Sequence, residues 1–127
     1  MRHFVQYHNP DKYGPFRPSK DKFGIITNKR VDSLKGDTVW LVSRRGNPPE
    51  YVLCETFVVE RVGKGPPGSL QNFAKASHGR SFDPPEKIDH EPWFKRLRRL
   101  TQNFRFGLTH VQDEQVIEGL LKAISQP

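Results

Sequence analysis

Thr38-Val39-Trp40-Leu41-Val42-Ser43 and Tyr51-Val52-Leu53-Cys54-Glu55-Thr56-Phe57-Val58-Val59 are the two stretches on which the reading of the fold turns. Both are rich in β-branched and aromatic residues, which fit a pleated, half-buried surface. Lys35-Gly36-Asp37 supplies a turn before the first, and residues 44–49 a six-residue connection to the second, which runs within 50–62. The pattern predicts an antiparallel hairpin. Strand alternation puts Trp40 on one face with Thr38 and Val42, and Val39 and Leu41 on the other, so both faces are partly apolar.

Upstream, residues 3–8 carry Phe4, Val5 and Tyr7 and predict a first strand closed by Asn9-Pro10. Residues 11–22 hold Gly14, Pro15 and Pro18 among Lys12, Arg17, Lys20 and Lys22, and read as an exposed basic loop. Residues 23–27 then read as a short strand. Downstream, Gly63-Lys64-Gly65-Pro66-Pro67-Gly68 breaks regular structure, and residues 63–91 read as one long functional loop. Pro92 opens a helix with Trp93, Leu97, Leu100 and Phe104 at helical spacing, although 104–108 also suits a strand. Val116, Ile117, Leu120, Leu121 and Ile124 form the stripe of a final amphipathic helix over 112–125, with Asp113 and Glu114 in its first turn, where the helix dipole favours them. No internal repeat is present.

A chain of 127 residues has room for one compact core, so 1–127 is expected to be a single domain. Nine Phe, three Tyr and two Trp argue against disorder. Lys and Arg number 21 against 14 Asp and Glu, a formal charge of +7 that favours polyanionic partners. No apolar run is long enough to span a bilayer, and the start, Met1-Arg2-His3-Phe4, lacks a signal-peptide stretch, so a cytoplasmic protein without a membrane partner is expected. Cys54 is the only cysteine, which excludes an internal disulfide and reads as an apolar strand residue.

Lys95, Arg96, Arg98 and Arg99 interleave with Trp93, Phe94, Phe104 and Phe106, a mixture that suits phosphate contact with base stacking and equally suits the solvated face of a core helix. Arg44 and Arg45 add positive charge beside Trp40. The two tryptophans are either core residues or the walls of a base pocket, with Ser43, Asn28 and Asn9 near strand ends as hydrogen-bonding partners. The five histidines show no His-x-x-x-His spacing, and Pro84, Pro85 and Pro92 interrupt the acidic group Asp83, Glu86, Asp89 and Glu91, so neither a metal nor a cofactor is expected.

The first strand at 3–8, the Leu34-Lys35-Gly36-Asp37 turn entering Val39-Trp40-Leu41-Val42, and the closing Phe57-Val58-Val59-Glu60-Arg61-Val62 resemble the PUA-like superfamily, which includes EVE, ASCH and YTH domains. That resemblance covers residues 1–62, and the late helices fit it by their presence. It implies an α+β fold, a small antiparallel PUA-like β-barrel flanked by helices. It also implies a reader of DNA or RNA that is not itself an enzyme and that holds a flipped, methylated base, as in modification-dependent restriction systems where a fused or partner nuclease cuts. The expected base pocket comprises Trp40, Trp93, Ser43, Asn28 and Asn9, and the expected phosphate contacts are Arg44, Arg45, Lys95, Arg96, Arg98 and Arg99. Two other classes stay open on the residues alone: a metal-dependent hydrolase using His78, His90, Asp83 or Asp89, and a basic module that meets an acidic protein.

Overall fold

A computed structural model describes residues 1–17 and 22–125; Pro18 and Lys20 of the basic segment lie outside the described residues. The antiparallel hairpin forms, but its connection is residues 46–49 rather than the expected 44–49, because Arg44 and Arg45 extend the first strand by pairing with Tyr51 and Glu50. Strand β3 (Thr38–Arg45) pairs antiparallel with β4 (Glu50–Val58), Thr38 opposite Val58 and Arg45 opposite Glu50. Before it lie β1 (His3–Tyr7), the short helix α1 (Pro10–Tyr13) and β2 (Phe23–Thr27). After it come β5 (Arg61–Lys64), β6 (Asn72–Ala76), β7 (Gly79–Lys87), α2 (Phe94–Leu100), β8 (Leu108–Val111) and α3 (Glu114–Ser125).

These strands form two open sheets, in the orders β7-β4-β3-β1-β8 and β2-β6-β5, and not the closed antiparallel barrel that the sequence led us to expect. Three features account for the difference. β1 lies parallel to β3, His3 beside Thr38, so the larger sheet is mixed. The single long strand expected over 50–62 breaks after Val58: the Val59 N–H donates to the Asp37 carbonyl (2.8 Å) and the Glu60 N–H to the Lys75 carbonyl (2.9 Å), which hands the chain to the second sheet. The 63–91 segment, expected as a loop, supplies β6 and β7. Pro84 and Pro85 are tolerated in β7 because it is an edge strand, where a missing N–H breaks no ladder.

Alternation in β3 sorts the core into two layers. Val39 and Leu41 face the smaller sheet and pack with Phe4, Cys54, Phe57, Phe23, Ile25 and Ala74. Trp40 and Val42 face the helices and pack with Val5, Leu53, Leu97, Val116 and Leu120. Each fully buried aliphatic side chain contributes roughly 1.5–3 kcal/mol relative to exposure. Asp113 fastens the helical layer: its Oδ1 accepts the N–H groups of Gln115 (3.0 Å) and Val116 (3.1 Å), and its Oδ2 accepts from Arg96 Nε (2.9 Å), which ties α2 to the start of α3. No helix among the described residues is long and apolar enough to cross a membrane.

Candidate nucleic-acid interface

At the end of the larger sheet the chain forms a groove of about 890 Å³ between β1, α1, β2 and the turn that follows α2. Local chemistry builds each wall. Asn9 caps α1, its Oδ1 accepting the Asp11 N–H at 3.0 Å, and the His8 ring Nε2 lies 2.8 Å from the Gly14 carbonyl. Together they fold α1 back beside β1 and bring Tyr13 and Phe16 to the groove. On the opposite side α2 stops at Thr101, whose Oγ1 donates to the Leu97 carbonyl (2.8 Å) and accepts the Phe104 N–H (3.1 Å).

Gln102, Asn103 and Phe104 then take three consecutive left-handed conformations, with φ of 49°, 64° and 61°. Non-glycine residues pay roughly 1–2 kcal/mol each for that region, so packing must hold the turn in place. It does so through Phe104, which stacks against Tyr7 (centroids 5.1 Å) and Tyr51 (5.3 Å) and is buried. Arg98 braces the same turn from behind: its Nε donates to Asn103 Oδ1 (2.9 Å) and its guanidinium lies 5.4 Å from the Tyr51 ring centre.

The lining is aromatic, polar and cationic at once. Tyr7, Tyr51 and the exposed Phe106 supply ring surface, with Phe104 buried behind the two tyrosines, and Lys12, Arg44 and Arg105 supply positive charge. Arg44 pairs with Asp11, and that hydrogen bond raises its already high pKa. Burial pushes the Tyr7 phenol up from its ordinary value, against the pull of Arg44, so it stays a neutral donor and acceptor at neutral pH. One atom stands apart: Gln6 Oε1 is buried on the groove wall and is, among the described residues, the one buried side-chain polar atom without a hydrogen-bond partner.

Three expected site residues meet in this groove: Asn9, Asn28 and Arg44. The others lie elsewhere. Trp40 is 0% and Trp93 8% exposed, and both belong to the layer beneath the helices, so they do not face each other across an open pocket. The Trp40 indole N–H donates to His3 Nδ1 (3.0 Å). Trp93 lies against α3 where Gly119 leaves room; a Cβ there would come within 2.1 Å of the indole nitrogen. Ser43 is buried and donates to the His8 carbonyl (2.9 Å), a bond that supports the groove from outside it.

Arg45, Lys95, Arg96, Arg98 and Arg99 are exposed but do not line the groove, and Arg96 and Arg98 are committed to Asp113 and Asn103. Cys54 is buried in its strand, and burial pushes its thiol up to about 12. Among the described residues, no three His, Cys, Asp or Glu side chains converge as metal ligands would; Asp89 instead accepts the Tyr51 N–H (3.2 Å).

Sequence reasoning missed Gln6, Tyr7, Tyr51 and Phe104 because each also reads as an ordinary strand or helix residue. The available signal was that Tyr, apolar in body and polar at its tip, closes β1 and opens β4, whose ends meet here. Compared with known proteins, the chain matches no family model, no curated protein and no solved structure.

Proposed function

We propose that the chain is a nucleic-acid reader that takes one unpaired base into this groove, with a methylated base preferred. The observation that carries the reading is the unpartnered Gln6 Oε1 on the wall of a groove that aromatic and cationic side chains also line. A buried acceptor left unmade costs about 1–3 kcal/mol, which a ligand N–H would restore. A primary amide offers an acceptor beside a donor, the pattern that complements a nucleobase edge.

On the face of the larger sheet that Gln6 shares with Phe4 and Leu41, ring surface from Phe16 and Phe106 suits the face of the base, and stacking on an aromatic side chain contributes about 1–3 kcal/mol per base. Lys12 and Arg105, with Arg44 beside its partner Asp11, line the same groove and would supply positive charge for flanking phosphates. Extruding a base from a duplex costs a few kcal/mol, so single strands should bind best. A buried methyl group adds about 0.8 kcal/mol, less than a tenfold preference. On this reading any strand cleavage belongs to a fused or separate nuclease.

The test is fluorescence anisotropy with single-stranded oligonucleotides, plain and base-methylated, over a salt series. Affinity should fall with log K declining about 0.7 per phosphate neutralised, and methylation should favour binding by less than about tenfold. Gln6→Leu, which removes an unsatisfied acceptor and should fold normally, should weaken binding about tenfold, the value of one buried hydrogen-bonded contact. Binding that is flat in salt and indifferent to Gln6→Leu would sink the reading.

A further inference from the structure

The smaller sheet has one face in the core and one open to solvent. Register puts Gly24, Lys75 and Arg61 in one outward row and Ile26, Phe73 and Gly63 in the next. Ile26 is 61% exposed, and Gly24, Arg61 and Lys75 are exposed as well. Gly63 is needed here, because a Cβ would come within 2.4 Å of Phe73 Cζ: the ring lies across the neighbouring strand, with the Lys75 ammonium 4.7 Å from its centre.

We infer that this face is a second contact surface, on which a single-stranded nucleic acid continues after leaving the groove. The inference rests on the reader function proposed above. Continuity is the first argument. Gly24 and Ile26 belong both to this sheet edge and to the groove lining, Asn28 lines the groove directly after β2, and Lys29 reaches from beyond the end of β2 to within 5.3 Å of the Phe106 ring centre.

Charge complementarity is the second. Among the described residues neither Arg61 nor Lys75 pairs with a carboxylate, and the nearby Glu60 is taken up by the Ser77 hydroxyl (3.0 Å) and the backbone N–H of His78 (3.3 Å). A half-buried ring carrying the Lys75 ammonium, with Arg61 in the next row and neither cation paired with a carboxylate, is a combination that suits unpaired bases without reading their sequence: the ring takes a base face as the ammonium turns to a phosphate, and Arg61 takes another phosphate.

The experiment compares single-stranded oligonucleotides of about four and about twelve nucleotides, the shorter filling the groove and the longer reaching the sheet. Phe73→Leu keeps a side chain over Gly63 while removing the ring, and should weaken twelve-nucleotide binding by about tenfold, the value of one base stack. Arg61→Ala with Lys75→Ala should lower the salt slope for the longer strand by about 0.7 for each cation. Binding of the shorter strand should stay at the wild-type level in all variants.

If the wild-type chain binds both lengths equally and the substitutions change neither, the sheet inference is overturned and the groove reading stands. If the wild-type chain binds neither length, both fall. If polyglutamate displaces the longer strand equally well and Phe73→Leu has no effect, the face meets an acidic protein and the inference is overturned.

Discussion

Trp40→Ala should lower the unfolding free energy by about 3–5 kcal/mol, the usual cost of truncating a large buried aromatic. The side chain is fully buried in the larger sheet, packed among Val5, Val42, Leu53, Val116 and Leu120, and its indole N–H is satisfied by His3. Truncation would open a cavity at the centre of the helical layer and leave His3 Nδ1 without its donor. Set against a typical domain stability of about 5–15 kcal/mol, that is a large share. Urea unfolding should show a lower midpoint with an unchanged slope. Trp40→Phe, which keeps most of the volume, should fold and bind nucleic acid like the wild type. A Trp40→Ala protein as stable as the wild type but unable to bind would return Trp40 to the ligand site.

The second large effect belongs to Glu55. It is 3% exposed, opposite Leu41 on β3 and Ser81 on β7, and burial alone pushes its carboxyl up to about 7 from the ordinary 4.5. Between those two values the folded chain keeps a proton that the unfolded chain has released, so Glu55 lowers stability as pH rises through this window. At 1.36 kcal/mol per unit the full loss is about 3 kcal/mol, reached above pH 7. His3 acts in the opposite direction: burial, then the nearby N-terminal charge, lowers its pKa, so its contribution grows as pH rises toward the unfolded value. The clean measurement is therefore the difference between Glu55→Gln and wild type. Glu55→Gln should be about 3 kcal/mol more stable at pH 8 and nearly equal to wild type at pH 4.5. Equal stability at both pH values would mean that Glu55 is ionised and compensated in the folded chain.

What could be read from the sequence follows from how local each signal is. β3 and β4 announced themselves through β-branched runs, and α3 through its stripe, because their faces are set by neighbours a few residues away. The strands from 61 to 87 were hidden, since Gly63 and the prolines at 84 and 85 break the usual strand grammar. Gly63 makes room for Phe73, and an edge position excuses the prolines, and both facts exist only once the sheets are assembled. Sheet closure was beyond reach for the same reason: it depends on which edges meet.

At the groove, Asn9 and Asn28 drew notice because polar residues near strand ends mark themselves, and Arg44 because of its charge; all three line it. Trp40 and Trp93 misled because scarcity and adjacent charge do not reveal which side of a sheet a residue occupies. Gln6 carried no signal at all. Its importance lies in a missing partner, which only three-dimensional packing exposes.

The most direct test of the groove is to titrate a single-stranded oligonucleotide into isotope-labelled protein and follow side-chain N–H resonances by NMR. The amide of Gln6 should shift first and most, with Asn28 following, while the indole signals of Trp40 and Trp93 stay in place. Indole shifts with an unmoved Gln6 amide would contradict the groove reading.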